Sequence, residues 1–101
     1  MSRIHELQEW YLSQCNGDWE HEFGVKINTL DNPGWTIEID LEGTGIEERP
    51  FAERAYGVGD DAGQSGDEWL HCMIDEGKFK GAGGPRKLEE IIEIFLGWAK
   101  C

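Results

Sequence analysis

The chain has 101 residues, a length that accommodates one hydrophobic core and predicts a single domain over residues 1–101. Apolar residues make up 39% of it and five residues are tryptophan, which excludes a chain that is disordered throughout. The formal net charge is −12, and residues 18–68 alone carry fourteen acidic residues against three basic ones. A negative field of this size opposes binding to nucleic acid or an anionic membrane and favours a basic partner. The alternative is that the acidic residues only keep a small protein soluble.

The N-terminal segment has the periodicity of a helix over roughly residues 2–15. Ser2 can cap this helix, and Ile4, Leu7 and Tyr11 follow an i, i+3, i+7 spacing. Gly17 suits the left-handed conformation that follows a helix, so it is predicted to end the segment. An irregular connection is expected next.

Two alternating apolar patterns predict the first hairpin of a sheet, with strands over roughly 24–30 and 35–42. Asn-Pro-Gly at 32–34 supplies the turn. The apolar residues of both strands have odd sequence numbers and must lie on one face of the sheet. Residues that share a face can be paired in this way only if the loop between the strands has an odd number of residues, about three to five. The expected opposed pairs are Val25 with Leu41, Ile27 with Ile39, Thr29 with Ile37 and, on the outer face, Lys26 with Asp40.

Further strands are expected over roughly 51–58, 68–75 and 78–81, with a turn at 75–78. The glycine-rich run 81–84 is predicted to reverse the chain, and Pro85 to begin a final helix over roughly 85–99. The predicted fold class is therefore α+β. An antiparallel sheet of about four to five strands is packed on one face by the N- and C-terminal helices.

Cysteine use and the N-terminal sequence predict a reduced protein of the cytoplasm. Cys15, Cys72 and Cys101 form no CxxC pair and have no metal-ligand spacing, so free thiols are expected. The first twelve residues, MSRIHELQEWYL, lack the apolar stretch of a signal peptide, and no run is long enough to span a membrane.

Two histidines with neighbouring carboxylates suggest a small metal-dependent enzyme as an alternative function. His21 lies between Glu20 and Glu22, and His71 could join it if the sheet brings their segments together. On an extended segment, however, Glu20 and Glu22 point to one side while His21 points to the other. We therefore expect no catalytic residue, no metal ligand and no cofactor.

Several motifs are distributed along the chain. The most specific are GDWEH at 17–21 and TLDNPGW at 29–35. The shorter ones are Trp10-Tyr11, Cys15, Gly24, Ile27, Trp69, His71-Cys72, Gly83-Gly84-Pro85 and Leu88-Glu89-Glu90-Ile91. Together they resemble the immunity protein 53 family of bacterial polymorphic toxin systems. The loop at 57–66 departs from the family pattern, being longer and richer in Gly and Asp.

The resemblance implies a small cytosolic protein that is not an enzyme and that binds and neutralises a cognate toxin. Together with the acidic segment, the resemblance predicts that the protein docks on a basic toxin surface. The protein itself is expected to be a monomer or a weak dimer. A regulatory module with another basic partner is the further alternative. Trp19 has the character of an interface anchor because acids surround it, and packing beneath its loop is the equally weighted alternative. The candidate partner-binding residues are Asp18, Trp19, Glu20, Glu22, Glu38, Asp40, Glu42, Asp60, Asp61 and Glu68.

Overall fold

The structure is a computed structural model that describes residues 2–31, 33–56 and 69–99. Its helices are Arg3–Gln14 (α1), Trp19–Glu22 (α2) and Leu88–Ala99 (α3). Its strands are Val25–Leu30 (β1), Gly34–Asp40 (β2), Arg54–Tyr56 (β3), Leu70–Asp75 (β4) and Lys78–Gly83 (β5). They form one antiparallel sheet in the order β1-β2-β5-β4-β3, with α1 and α3 on one face. This arrangement confirms the predicted α+β class.

Helix α1 begins and ends where its capping residues predict. Ser2 Oγ accepts a hydrogen bond from the N–H of His5 at 3.1 Å. Leu7 and Trp10 of this helix are buried in the core. Gly17 has a φ of +94°, a left-handed conformation in which a side chain would be strained.

The first hairpin has the predicted shared face but a different register. Ile27 lies opposite Ile37, whereas its predicted partner is Ile39, two residues further along β2. Leu30 pairs with Gly34, which leaves a turn of three residues instead of the five that the predicted pairing implies. The pairings of Val25 with Leu41, Thr29 with Ile37 and Lys26 with Asp40 are therefore wrong by the same two residues.

Trp35 is the second residue of β2 and lies within the predicted strand over 35–42. Trp35 lies opposite Thr29 on one side and Gly83 on the other. A Cβ at the preceding residue, Gly34, would lie 2.5 Å from the carbonyl oxygen of Gly83. Glycine at that position therefore lets β2 and β5 pair up to the end of the hairpin.

Residues 19–22, predicted to be an irregular connection, form the short helix α2. Asn16 Oδ1 accepts hydrogen bonds from the N–H groups of Asp18 and Trp19, each at 2.9 Å. The Glu20 carboxylate accepts in return from the N–H groups of Asn16 and Gly17, also at 2.9 Å. These reciprocal bonds satisfy the backbone donors of the turn much as a capping box does.

Strand β5 includes the glycine-rich run that is predicted to reverse the chain. A Cβ at Gly81 would lie 2.5 Å from Cγ2 of Ile91, so glycine here lets α3 approach the sheet closely. The reversal occurs at residues 84–87. Helix α3 begins after this turn and not at Pro85, whose carbonyl accepts a hydrogen bond from the indole N–H of Trp35 at 2.9 Å.

The core lies between the sheet and the two long helices, and a series of aromatic rings runs through it. Trp10 packs edge-on against Phe95, with ring centroids 4.9 Å apart, and against Trp19 at 6.2 Å. Such pairs each contribute about 0.5–1.5 kcal/mol beyond the area they bury. The largest fully buried side chains are Phe79, Phe95, Ile37, Ile39, Leu41, Leu70, Ile91, Ile92 and Cys72.

Candidate partner-binding surfaces

The candidate partner-binding residues fall into two groups in the structure. Asp18, Glu20 and Glu22 belong to α2 and its first turn, and Glu42 follows β2. Glu38 and Asp40 lie on the sheet face opposite the helices, which we call the open face. The remaining candidates, Asp60, Asp61 and Glu68, lie outside the described residues, as does the loop 57–66.

Trp19 is a core residue, so of the two alternatives the structure agrees with packing beneath the loop and not with an exposed anchor. Only 5% of its surface is exposed, and its ring contacts those of Trp10, Tyr11 and Phe23. Its indole N–H donates a hydrogen bond to the carbonyl of Glu42 at 2.8 Å. The helical conformation of α2 turns the indole inward, so Trp19 joins α2 to the turn after β2.

This junction brings two acidic segments together. We use the name "acidic end" for six residues, namely Asp18, Glu20 and Glu22 around α2 and Glu42, Glu47 and Glu48 in the turn 42–48. Residues 4–25 and 41–48 contain no Lys or Arg. The next cation, Arg49, is directed elsewhere, since its Nη1 donates to the carbonyl of Trp98 at the end of α3 at 2.7 Å. Among the described residues, no ion pair involves any carboxylate of the acidic end.

Two carboxylates of the acidic end hold the backbone in place. Backbone hydrogen bonds, from its own N–H first and then from those of Asn16 and Gly17, keep the pKa of the Glu20 carboxyl below its ordinary value. Glu47 Oε1 accepts a hydrogen bond from the N–H of Gly43 at 3.3 Å. The carboxylates that remain for a partner are the exposed ones of Asp18, Glu22, Glu42 and Glu48.

The open face has a different electrostatic character because cations alternate with its carboxylates. Lys78 Nζ lies 3.4 Å from Glu38 and 3.9 Å from Asp40. Lys80 Nζ lies 3.1 Å from Asp75. Partly exposed pairs of this kind contribute only about 0–1 kcal/mol to stability. Their main consequence is that β5 neutralises most of the negative charge on β2.

The histidines of the enzyme alternative lie on separate elements. His21 is exposed on α2, and His71 on β4 hydrogen-bonds to Glu53. Within the described part of the chain, no group of three or more His, Cys, Asp or Glu residues is arranged to hold a metal ion. The expectation that Glu20 and Glu22 point to one side is wrong, because α2 is helical. Residues two apart on a helix are rotated by about 200° about its axis and lie on nearly opposite sides.

The cysteines that the structure describes, Cys15 and Cys72, are free thiols as predicted, and Cys101 lies outside the described residues. Burial raises the pKa of the Cys72 thiol to about 12. This thiol therefore stays protonated at neutral pH and is a poor nucleophile.

Comparison with protein-family models matches residues 4–100 to Immunity protein 53. The match spans all of the helices and strands from α1 to α3 apart from the first residue of α1. Comparison with curated proteins and with solved structures finds no match. No helix among the described residues combines the length and the apolar character needed to cross a membrane. The chain belongs to the immunity protein 53 family, in agreement with its sequence motifs.

Proposed function

We propose that this protein binds a cognate toxin in the cytoplasm and blocks it by occupying its surface, without catalysing a reaction. The family supports an immunity function in general. The acidic end is the surface that we propose for the contact.

The observation that carries this proposal is the unneutralised charge of the acidic end. Its six carboxylates lie on two adjoining segments that contain no Lys or Arg. Glu38 and Asp40 of the open face, in contrast, share Lys78. A basic partner is therefore attracted more strongly to the acidic end than to the open face, and complementary charge of this kind accelerates association.

The acidic end is also held in a fixed shape before a partner arrives. The buried indole of Trp19 ties α2 to the turn after β2, and the Glu20 carboxylate fixes the entry to α2. A preorganised surface loses less conformational entropy on binding. Its natural counterpart is a basic toxin surface, such as the cleft of a nuclease, where carboxylates can occupy the positions of phosphate groups.

Co-expression with the product of the neighbouring gene tests the immunity function. We expect growth to be restored and a stoichiometric complex to be recovered. If growth is not restored and no complex forms, the immunity function is excluded for that pair.

Charge reversal tests the proposed surface. Glu22→Lys with Glu42→Lys should lower the association rate constant by roughly 10-fold or more in low salt, because electrostatic steering is lost. Glu9→Lys with Glu89→Lys changes the net charge equally at exposed positions of α1 and α3 and is the matched control. An equal loss in both double variants would show that overall charge, and not the acidic end, directs the encounter.

A further inference from the structure

The edge strand β1 has backbone groups that the sheet does not use. The N–H of Asp40 donates to the carbonyl of Gly24 at 3.1 Å, which identifies these residues as a hydrogen-bonded pair of the antiparallel ladder. Hydrogen-bonded pairs recur at every second residue, so the even-numbered residues of β1 face β2. The N–H and C=O groups of Val25, Ile27 and Thr29 therefore point outward from the edge of the sheet.

Apolar surface lies beside the same edge. The side chains of β1 residues with odd numbers point toward α1, because their partners Ile37 and Ile39 are in the core. Between the strand and the helix runs a groove of about 360 Å³, lined by Ile4, Leu7, Tyr11, Val25 and Ile27.

Helix α1 contributes exposed apolar side chains to this surface. Ile4 is 49% exposed and Tyr11 38%, and on the strand Ile27 is 39% exposed. Edge strands with free backbone groups and apolar neighbours are templates for adding another strand. A strand placed beside β1 would gain hydrogen-bond partners and cover these side chains at once.

We propose that a second copy of this chain occupies that position, with the two β1 strands paired antiparallel about a two-fold axis at Ile27. This register places Ile27 opposite the partner's Ile27 and Val25 opposite the partner's Thr29. Every outward-facing residue of β1 then belongs to a hydrogen-bonded pair, and the two sheets join into one of ten strands. The proposal is independent of toxin binding.

Self-pairing also suits the charges at the edge. Lys26 is the only charged residue of β1, and the proposed register places it opposite the partner's Asn28 and not opposite a second lysine. The acidic end adjoins Gly24, at the start of β1. An antiparallel pair of strands therefore puts the two acidic ends at opposite ends of the paired strands and not side by side, which reduces the repulsion between two chains of net charge −12.

Sedimentation equilibrium of the full chain tests the proposal, from micromolar to millimolar protein in about 0.15 M salt, where charges far apart are screened. We expect the mass to rise with concentration from 11.5 kDa to twice that value. A mass that stays at 11.5 kDa over the whole range overturns the proposal.

A variant pair distinguishes this interface from any other. Ile27→Asp places two carboxylates face to face at the two-fold axis, so the dimer should be lost. Asn28→Asp adds the same charge to the same strand on the open face, and dimerisation should persist. Because Ile27 is already 39% exposed, the variant protein should stay folded, which its circular dichroism melting curve checks. A dimer that survives Ile27→Asp contradicts the proposed pairing.

Amide hydrogen exchange measures, without any substitution, whether the outward N–H groups of β1 are hydrogen-bonded. At dimer concentrations, the N–H groups of Val25, Ile27 and Thr29 should be protected, and dilution to monomer should return them to rapid exchange. Lys26 and Asn28, which bond to β2, should be protected at both concentrations. Rapid exchange of the three edge amides at dimer concentrations, or protection that appears only when a toxin is added, overturns the assignment of a second copy to this edge.

Discussion

The acidic end and the open face are both rich in carboxylates, yet they differ in what lies beside them. On the open face, Lys78 and Lys80 of β5 stand among Glu38, Asp40 and Asp75. At the acidic end, the six carboxylates have no described cation in ion-pair distance. The two surfaces therefore present different fields although their segments look alike in composition.

This difference teaches that local acidity in a sequence is a poor guide to a binding surface. Glu38 and Lys80 are 42 positions apart in the sequence but directly opposed in the sheet. The pairing of β2 with β5 decides which carboxylates are neutralised. The carboxylates of the acidic end are not neutralised because the segments that meet there contain no Lys or Arg. Three further variants, each compared with a control variant, test this contrast.

The largest effect is expected from breaking the junction that assembles the acidic end. Trp19→Ala removes an indole that is only 5% exposed and should lower the free energy of unfolding by about 3–5 kcal/mol. Urea titration followed by circular dichroism measures this change. Trp19→Phe is the matched control, because it keeps a ring but loses the hydrogen bond to Glu42, and it should cost roughly 0.5–1.5 kcal/mol for that bond. Similar losses in the two variants would show that the hydrogen bond, not the packing, joins the segments.

A smaller effect is expected from removing the cation that Glu38 and Asp40 share. Lys78→Ala should lower the free energy of unfolding by only about 0.2–1 kcal/mol, since the pairs are partly exposed. High salt should reduce the difference from the parent protein. Lys26→Ala is the control, because Lys26 forms no ion pair with a described residue. A loss well above 1 kcal/mol would mean that the open face depends on its ion pairs for stability.

The smallest effect is expected in the pH dependence of stability at the acidic end. The folded-state pKa of Glu20 is lowered, so its contribution is present above the ordinary value of 4.5 and is lost as pH falls through the folded pKa. Glu20→Gln should therefore flatten the decline in unfolding free energy below about pH 4.5. Glu22→Gln removes a carboxylate of the same helix that accepts no hydrogen bond from the described residues, and it is the control. If the unfolding free energy of Glu20→Gln declines at acidic pH as steeply as that of the parent protein, the hydrogen bonds from the backbone to Glu20 contribute little to stability.

Most of the predicted fold follows from local patterns. The cap at Ser2, the left-handed Gly17 and the alternating burial along β2 are each decided within a few residues, and the structure contains all of them. Helix α2 also has a local signal, an Asn four residues ahead of a Glu, each of which bonds the backbone near the other. This signal favours a helical turn over the extended connection that is predicted for residues 18–22.

The candidate site is less predictable, because its residues acquire their roles from distant neighbours. Trp19 looks like an exposed aromatic residue among acids, but burial against Trp10 and the carbonyl of Glu42 makes it part of the core. Glu38 and Asp40 look like binding residues, but Lys78 lies beside them. Glu47 and Glu48, which belong to the acidic end, are not in the predicted set, because only the long-range bond from Trp19 to the carbonyl of Glu42 brings their turn beside α2.

The sequence by itself determined the family, the fold class and the shared face of the first hairpin, because motifs, periodicity and parity are properties of neighbouring residues. It left the register uncertain by steps of two residues, because each such step keeps the same side chains on the same face. Only the tertiary structure decided that step, which places Trp35 opposite Thr29 of β1. The long-range pairing of β2 with β5 brought lysines beside the carboxylates of β2, whereas the acidic end has no ion pair among the described residues.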